Sequence, residues 1–348
     1  MATVKQIRWG MVGVGRVTEV KSGPAFQLAD NSTLHGVYGR NIPMAKDYAL
    51  RHGVEHVFGS MEELVYSSDI DAVYIATPPG SHRELALLAC RAGKPTYVEK
   101  PMARNYRECQ EMNSTFQAAG VPLYVAYYRR ALPRFRLFQQ LARDGTIGDA
   151  SRVTYRSSST ATAHPSPLPW RLQADQSGGG LFVDVGCHVL DALDYLFGPL
   201  KEVQGVASRQ SADYAVEDYV FMKLRIGDRL SGDAVWNFCA SSDDDMLEVE
   251  GSRGKVCMQV FSDSPILLTL NDGSSAHYPC TDPQHIQQPL VQTIVDELLG
   301  RGSCPSHGVS AARTSAVMDC VLQDYYGGRA DDFWARPGTW PGLLSSHL

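Results

Sequence analysis

The sequence predicts an α/β protein of two domains, a doubly wound parallel sheet followed by a domain on an antiparallel or mixed sheet. Three observations predict it. The chain has 348 residues, room for two domains at about 150 residues each. Its first third alternates short apolar runs with amphipathic helical patterns, the signature of parallel strands joined by helices. Beyond about Tyr128 strand-like runs follow one another across short turns, as antiparallel strands do.

The elements follow in order. Residues 7–12 read as a buried strand, and Gly13-Val14-Gly15 turns the chain into a helical stretch. Residues 33–38 form a second strand, 44–52 a helix and 55–58 a short third strand. Strand 72–76 is closed by Pro78-Pro79, and 82–91 is an amphipathic helix ending at Gly93. Strand 95–98, helix 104–119 and strand 123–127 complete the first part. The second part opens with helix 133–143 and strand 151–159. A Pro- and Ser-rich loop, 164–170, leads to Gly178-Gly179-Gly180, which opens the helical pattern 181–196. Strands are expected at 203–209, 218–226, 233–238, 246–250, 255–260 and 266–270, and helices at 287–299 and 310–326. The tail 336–348, with two prolines and two glycines, reads as irregular and lying on the surface. The expected domains are therefore 1–127 and 128–335, with 336–348 as the tail.

Composition narrows the function. Hydrophobic residues make up 44% and charged residues 20%, enough apolar material to offset chain entropy and exclude general disorder. Lys plus Arg is 32 against 38 Asp plus Glu, a net charge of −6. With no long basic run, nucleic acid and anionic membrane are excluded as main partners. No apolar run approaches the ~20 residues of a membrane span. Met1 to Gln6 runs into a strand with no signal-like apolar region, so a soluble, cytoplasmic protein is expected. The eight cysteines, Cys90, Cys109, Cys187, Cys239, Cys257, Cys280, Cys304 and Cys320, form no CxxC pair. They read as free thiols used as small core residues, and no metal ligand set is assigned.

Four motifs carry chemistry. Gly13-Val14-Gly15-Arg16-Val17-Thr18 lies between a strand and a helix. Glycines there let the backbone turn tightly and approach a pyrophosphate, whose charge meets the helix N-terminus, as in Rossmann domains. Thr77-Pro78-Pro79-Gly80-Ser81-His82 follows another strand end, where doubly wound sheets hold ligands. Alternatively, Pro78-Pro79 simply closes the strand and His82 starts a helix. Glu99-Lys100-Pro101 puts two charges on the same rim. A lysine over a nicotinamide could polarise a carbonyl or share an alcohol's proton; in isolation the pair would be a solvated strand end. Fourth, Asp184 and His188 after the glycine triplet are four apart and share a helix face. A histidine one turn after an aspartate suits acid/base work. The bland alternative is a helix-dipole aspartate with a buried, satisfied histidine.

In this order and at these separations the four motifs resemble the glucose–fructose oxidoreductase/inositol dehydrogenase/MocA (Gfo/Idh/MocA) family, over about residues 7 to 330. The resemblance implies an N-terminal Rossmann domain on NAD(P) and a C-terminal α/β domain with a large open, mostly antiparallel sheet. It implies a catalytic set at Lys100, Asp184 and His188. The expected cofactor contacts are Gly13, Gly15, Arg16, Val17, Arg40, Thr77, Pro78, His82, Glu99 and Lys100. Candidate substrate contacts are Tyr127, Arg129, His164, Trp170 and Arg171. It also implies a homo-oligomer, a dimer or tetramer, through the open sheet at 202–270. Two features depart from the family pattern. Thr18 stands where Ala or Gly is usual, and Gly23-Pro24 interrupts the first helix, which should bend or start late.

The resulting expectation is an NAD(P)-dependent oxidoreductase interconverting alcohol and carbonyl on a sugar-like or cyclic polyol. A glycosidase using tightly bound NAD on the same scaffold, and a non-catalytic dinucleotide sensor, are the rivals; the intact Lys100, Asp184 and His188 favour the enzyme over the sensor. A cis Lys100–Pro101 bond is expected, since X-Pro bonds reach cis cheaply. NADP(H) is favoured over NAD(H). The second strand ends in Gly39-Arg40-Asn41 with no carboxylate for the ribose, and Arg40 could pair with a 2′-phosphate.

Overall fold

The computed structural model describes residues 6–161 and 166–344. The chain folds into two compact units. The first comprises residues 1–103, 107–132 and 283–312; the second comprises 104–106, 133–282 and 313–348.

In the first unit, β1 (Ile7–Val12), β2 (Ser32–Tyr38), β3 (His56–Val57), β4 (Ala72–Ile75), β5 (Thr96–Val98) and β6 (Leu123–Val125) form one sheet. Their order is β3-β2-β1-β4-β5-β6, and every pair is parallel. Strands buried on both faces need continuous apolar runs, and β4, Ala72-Val73-Tyr74-Ile75, is buried throughout. The order reverses between β1 and β4, the switch point where such sheets bind ligands.

Helices α1 (Gly23–Leu28), α2 (Ile42–His52), α3 (Met61–Tyr66), α4 (His82–Arg91) and α5 (Tyr106–Ala119) follow in the chain. The short α3 is absent from the sequence expectation, although Ser60 caps it by accepting from Glu63 N–H at 3.1 Å. The interruption at Gly23-Pro24 is a five-residue π-turn, Thr18–Ser22. Pro24 has no N–H to give to the preceding turn; instead Gly23 N–H reaches back to the Thr18 carbonyl. A side chain at Gly23 would strike Tyr48 Oη and the Thr18 carbonyl.

The second unit begins with α6 (Pro133–Arg143) and β7 (Ala150–Thr160), then α7 (Ala174–Ser177) and α8 (Cys187–Phe197). Next come β8 (Leu200–Ser208), β9 (Tyr219–Ile226), β10 (Leu230–Ala240), β11 (Asp244–Gly251), β12 (Gly254–Met258), β13 (Ile266–Leu270) and β14 (Ser275–Tyr278). With β7 they make an eight-stranded sheet, β14-β13-β12-β11-β7-β10-β9-β8. Only the β7–β10 pair is parallel. One face carries the core residues Val153, Tyr155, Val220, Met222, Trp236, Leu247 and Val249. The strands expected from sequence end at residue 270 and omit β14, whose four residues, Ser275–Tyr278, alternate too briefly to announce a strand.

Two helices close the fold, α9 (Gln288–Leu298) and α10 (Gly308–Tyr326). The linear domain division needs correction, because residues 283–312 return to the first unit. The physical reason is polar and buried: Gln287 accepts from Tyr97 Oη at 2.7 Å and donates to Glu99 at 2.6 Å. The described part of the tail, 336–344, is also better packed than expected. Trp340 is buried, donates to the Phe333 carbonyl at 2.9 Å and packs 4.7 Å from the Tyr326 ring. All eight cysteines are free, and no helix among the described residues is long and apolar enough to cross a membrane.

Candidate active site

At the end of β1, Gly13 has φ +94°, and a Cβ there would sit 3.1 Å from the Ala76 carbonyl. The position is closed to other L-residues. Gly15 differs: nothing lies within 4 Å of its Cβ direction, so the backbone is open to a ligand. Thr18, in place of the usual small residue, is buried and exchanges 2.9 Å hydrogen bonds with Gly15 N–H and carbonyl. It ties down the loop that a third glycine would leave free. Val17 is half-buried. Arg16 and Arg40 are exposed and have no ion-pair or hydrogen-bond partner among the described residues. Arg40 precedes Asn41, whose side chain caps α2 by accepting from Met44 N–H at 3.1 Å.

The neighbouring strand ends carry the next two motifs. Ser81 Oγ donates to Thr77 Oγ1 at 2.8 Å, and Thr77 and Pro78 are half-buried. His82 is fully buried; its ring nitrogens lie 2.7 Å from the Thr77 carbonyl and 3.1 Å from the Pro101 carbonyl. Burial pushes its pKa down, against the pull of those carbonyls. Glu99 is buried, and accepts from Tyr74 Oη at 2.7 Å, Gln287 Nε2 at 2.6 Å and Lys100 N–H at 3.2 Å. Burial, then the Glu99 charge, raises the Tyr74 phenol pKa far above its ordinary value and keeps it a donor. Through these bonds His82 and Glu99 fasten the loops of the rim. Lys100 is half-buried at the rim, and the Lys100–Pro101 peptide is cis, as expected.

Tyr127 and Arg129, candidate substrate contacts, are buried on the turn after β6, with the Arg129 guanidinium 5.0 Å from the Tyr128 ring. His164 lies outside the described residues.

In the second unit the glycine triplet does not lead into a regular α-helix. A π-turn, Phe182–Gly186, precedes α8. Asp184 therefore lies within the π-turn and His188 in the first turn of α8, and the single α-helical face read from their spacing is corrected. A π-turn inserts a residue into the helical repeat and is frequent at functional sites. Arg171 Nε donates to Asp184 Oδ2 at 2.6 Å, and Arg171 also lies 4.3 Å from the half-buried Trp170 ring. The Asp184 side chain is 12% exposed and His188 is 6% exposed. Phe261 stands edge-on to the imidazole at 6.0 Å.

What holds this segment is not foreseen by the sequence motifs. A Cβ at Gly178 would lie 2.4 Å from the Arg104 carbonyl, and one at Gly180 would lie 2.1 Å from the Glu217 carbonyl. Glu217 is fully buried and accepts from Gly180 N–H with both oxygens, at 2.9 and 3.0 Å, and from Tyr326 Oη. Burial raises its pKa, against the Tyr326 hydrogen bond. Arg329 is also buried; it donates to the Gly178 carbonyl at 2.7 Å, the Arg104 carbonyl at 2.9 Å and Asp319 at 2.7 Å. The only sequence signal is charge inside apolar surroundings, at Val216-Glu217-Asp218.

Comparison with known proteins agrees with both halves. Residues 7–127 match the oxidoreductase family described as an NAD-binding Rossmann fold, and residues 135–257 match the GFO/IDH/MocA C-terminal domain. Oxidoreductase P35 of Formosa agariphila is 34% identical over 319 residues, covering 90% of this chain and 98% of the relative. The 1,5-anhydro-D-fructose reductase of Ensifer adhaerens is 26% identical, covering 93% of this chain and 97% of the relative. The crystal structure of aldose-aldose oxidoreductase from Caulobacter crescentus, complexed with glycerol, shares the fold. Its TM-score is 0.80 at 24% identity, covering 92% of this chain and 97% of that one.

Proposed function

The chain belongs to the Gfo/Idh/MocA family of NAD(P)-dependent oxidoreductases, and on that premise we propose that it interconverts an alcohol and a carbonyl on a sugar-like or cyclic polyol substrate. The observation that carries this reading is the rim of the parallel sheet. The ends of adjacent strands β1, β4 and β5 bring the Gly13–Gly15 turn, Thr77 and Lys100 to the switch point. The open backbone at Gly15 and the exposed, unpartnered Arg16 and Arg40 fit a dinucleotide's phosphates, with Gly13, Val17, Thr77 and Pro78 shaping the cradle.

Bound nicotinamide supplies hydride transfer. The chain's own part is the proton. His188, almost fully withdrawn from water, accepts the hydroxyl proton in oxidation and returns it in reduction. Lys100 places a positive charge at the developing alkoxide. Asp184, held by Arg171, orients the reacting group, and Trp170 and Arg171 are the proposed substrate contacts with Tyr127, Arg129 and His164. NADP(H) is the proposed preferred cofactor, through Arg40. A screen of aldoses and polyols with each cofactor, following NAD(P)H absorbance through multiple turnovers, tests the reading. Absence of turnover on the whole panel, with the dinucleotide bound, would overturn it.

The open face of the eight-stranded sheet supports self-association. Val206, Phe221 and Val235 lie among polar neighbours on β8, β9 and β10 and retain exposure. A dimer or tetramer in light scattering is expected; Phe221→Glu should shift it toward monomer, and a monomeric wild type would remove this proposal.

A further inference from the structure

His35 lies on β2, His56 is the first residue of β3, and Glu55 immediately precedes it. These residues sit at the outer edge of the parallel sheet, since β3 is the terminal strand. His35 Nδ1 is 3.4 Å from Glu55 Oε2, and His56 Nε2 is 3.6 Å from Glu55 Oε1. The two imidazole rings meet edge-on, centroids 4.7 Å apart, and one donor atom from each of the three residues lies within 4.8 Å of the others. Among the described residues none of the three side chains has a hydrogen-bond or ion-pair partner outside the group.

We propose that His35, Glu55 and His56 bind a divalent transition-metal ion of the zinc type. Bonds of about 2.1 Å to nitrogen and oxygen set neighbouring tetrahedral ligands about 3.4 Å apart, close to the His35–Glu55 and His56–Glu55 separations, which run to the two different oxygens of the carboxylate. Two imidazoles and one carboxylate suit zinc, nickel or copper, whereas calcium and magnesium take oxygen ligands. The exposure of Glu55 and His56 leaves solvent to complete the coordination shell. The ladder joining β3 to β2 has only two residue pairs, Gly36 with His56 and Val37 with Val57. An ion held by both strands fastens this short edge. Helix α2 separates His35 from His56 in the chain, so no local motif announces the set. The proposal is independent of the oxidoreductase reading.

The test is a calorimetric titration of tag-free, full-length protein with Zn2+, beside His35→Gln, His56→Gln and Glu55→Gln. One ion per wild-type chain is expected, with Tm raised by zinc. Either histidine variant should bind ~10-fold or more weakly, at least the cost seen when merely an outer-shell partner is lost. Circular dichroism and oxidoreductase turnover without added zinc should stay at wild-type levels in all three variants. Cobalt in place of zinc should show ligand-field bands without thiolate charge transfer. No uptake by the wild type, unchanged uptake in both histidine variants, or a thiolate band from one of the free cysteines would overturn the proposal.

Discussion

Each unit interrupts a helix with a five-residue π-turn just after a glycine motif, but the two are held in place differently. In the first unit, Thr18–Ser22 follows Gly13-Val14-Gly15, and its causes lie close by: Gly23-Pro24 removes an N–H, and Thr18 ties back to Gly15. In the second, Phe182–Gly186 follows Gly178-Gly179-Gly180, and the loop is pinned by Glu217, Tyr326 and Arg329. A local device is visible to someone reading residues in order. A device built from buried charge brought in by segments later in the chain is not. The comparison also separates roles: the first region is proposed as a backbone cradle, and the second is a polar scaffold for the segment carrying two side chains proposed to do chemistry.

The largest expected effect strikes the proposed chemistry on both sides of that comparison. Lys100→Ala and His188→Ala should each lower kcat by about 10²-fold or more, the usual scale for a lost acid/base group. Dinucleotide affinity, measured by fluorescence, should stay near the wild-type value, because neither side chain forms the phosphate cradle. Near-normal turnover in both variants would sink the assignment of proton transfer to these residues.

The next effect concerns the remote scaffold. Glu217→Ala leaves Gly180 N–H and Tyr326 Oη without their acceptor in a fully buried place. The expected loss is on the order of 3 kcal/mol in stability by denaturant unfolding. The conservative Glu217→Gln isolates the charge. Burial raises the folded-state pKa of Glu217 above its ordinary 4.5. A raised carboxyl pKa means the folded chain binds its proton more tightly than the unfolded chain. This contribution to stability is present below about pH 4.5 and is lost as pH rises through the folded pKa. The Gln variant should therefore lose less stability than wild type between pH 4.5 and neutrality. Parallel stability–pH curves for the two proteins would show that the Glu217 charge does not matter there.

This contrast explains what could be read in advance. Both sheets, helices 82–91 and 133–143, and the Gly13 turn follow from apolar periodicity and glycine placement. The rim positions of Thr77 and Lys100 follow from strand ends alone. The inward roles of His82 and Glu99 do not: His82 meets the Pro101 carbonyl of the next strand's loop, and Glu99 meets Tyr74 and Gln287, the latter from a segment nearly two hundred residues later. The return of residues 283–312 to the first unit is hidden from the sequence for the same reason. Hydrophobic patterning marks which face is buried; it carries no information on which buried polar groups will meet. Asp184 and His188 stand out by motif, while the π-turn that holds Asp184 depends on tertiary packing.

The smallest effect returns to the local side, where sequence reading should succeed if the comparison is sound. Arg40 follows β2 at Gly39, is exposed, and has no competing partner among the described residues. The strand end offers no carboxylate to accept from an adenosine ribose 2′-hydroxyl, the feature that selects NAD. Asp47 lies on α2 and is engaged with Arg51 at 2.8 Å, so it does not replace the missing group. A guanidinium there can form charge-assisted hydrogen bonds to a 2′-phosphate, in an open setting where solvent screens the gain. The wild type should prefer NADP(H) in kcat/KM. Arg40→Ala should reduce the NADP(H)/NAD(H) ratio about 10-fold, equivalent to about 1.4 kcal/mol, with little change in kcat on NAD(H). Arg40→Lys should retain part of the preference, since the charge remains and the planar fork is lost. A wild-type preference for NAD(H), or a ratio unmoved by Arg40→Ala, would mean that cofactor choice is also set by residues remote from the strand end, and the division between local cradle and remote scaffold would fail at this point.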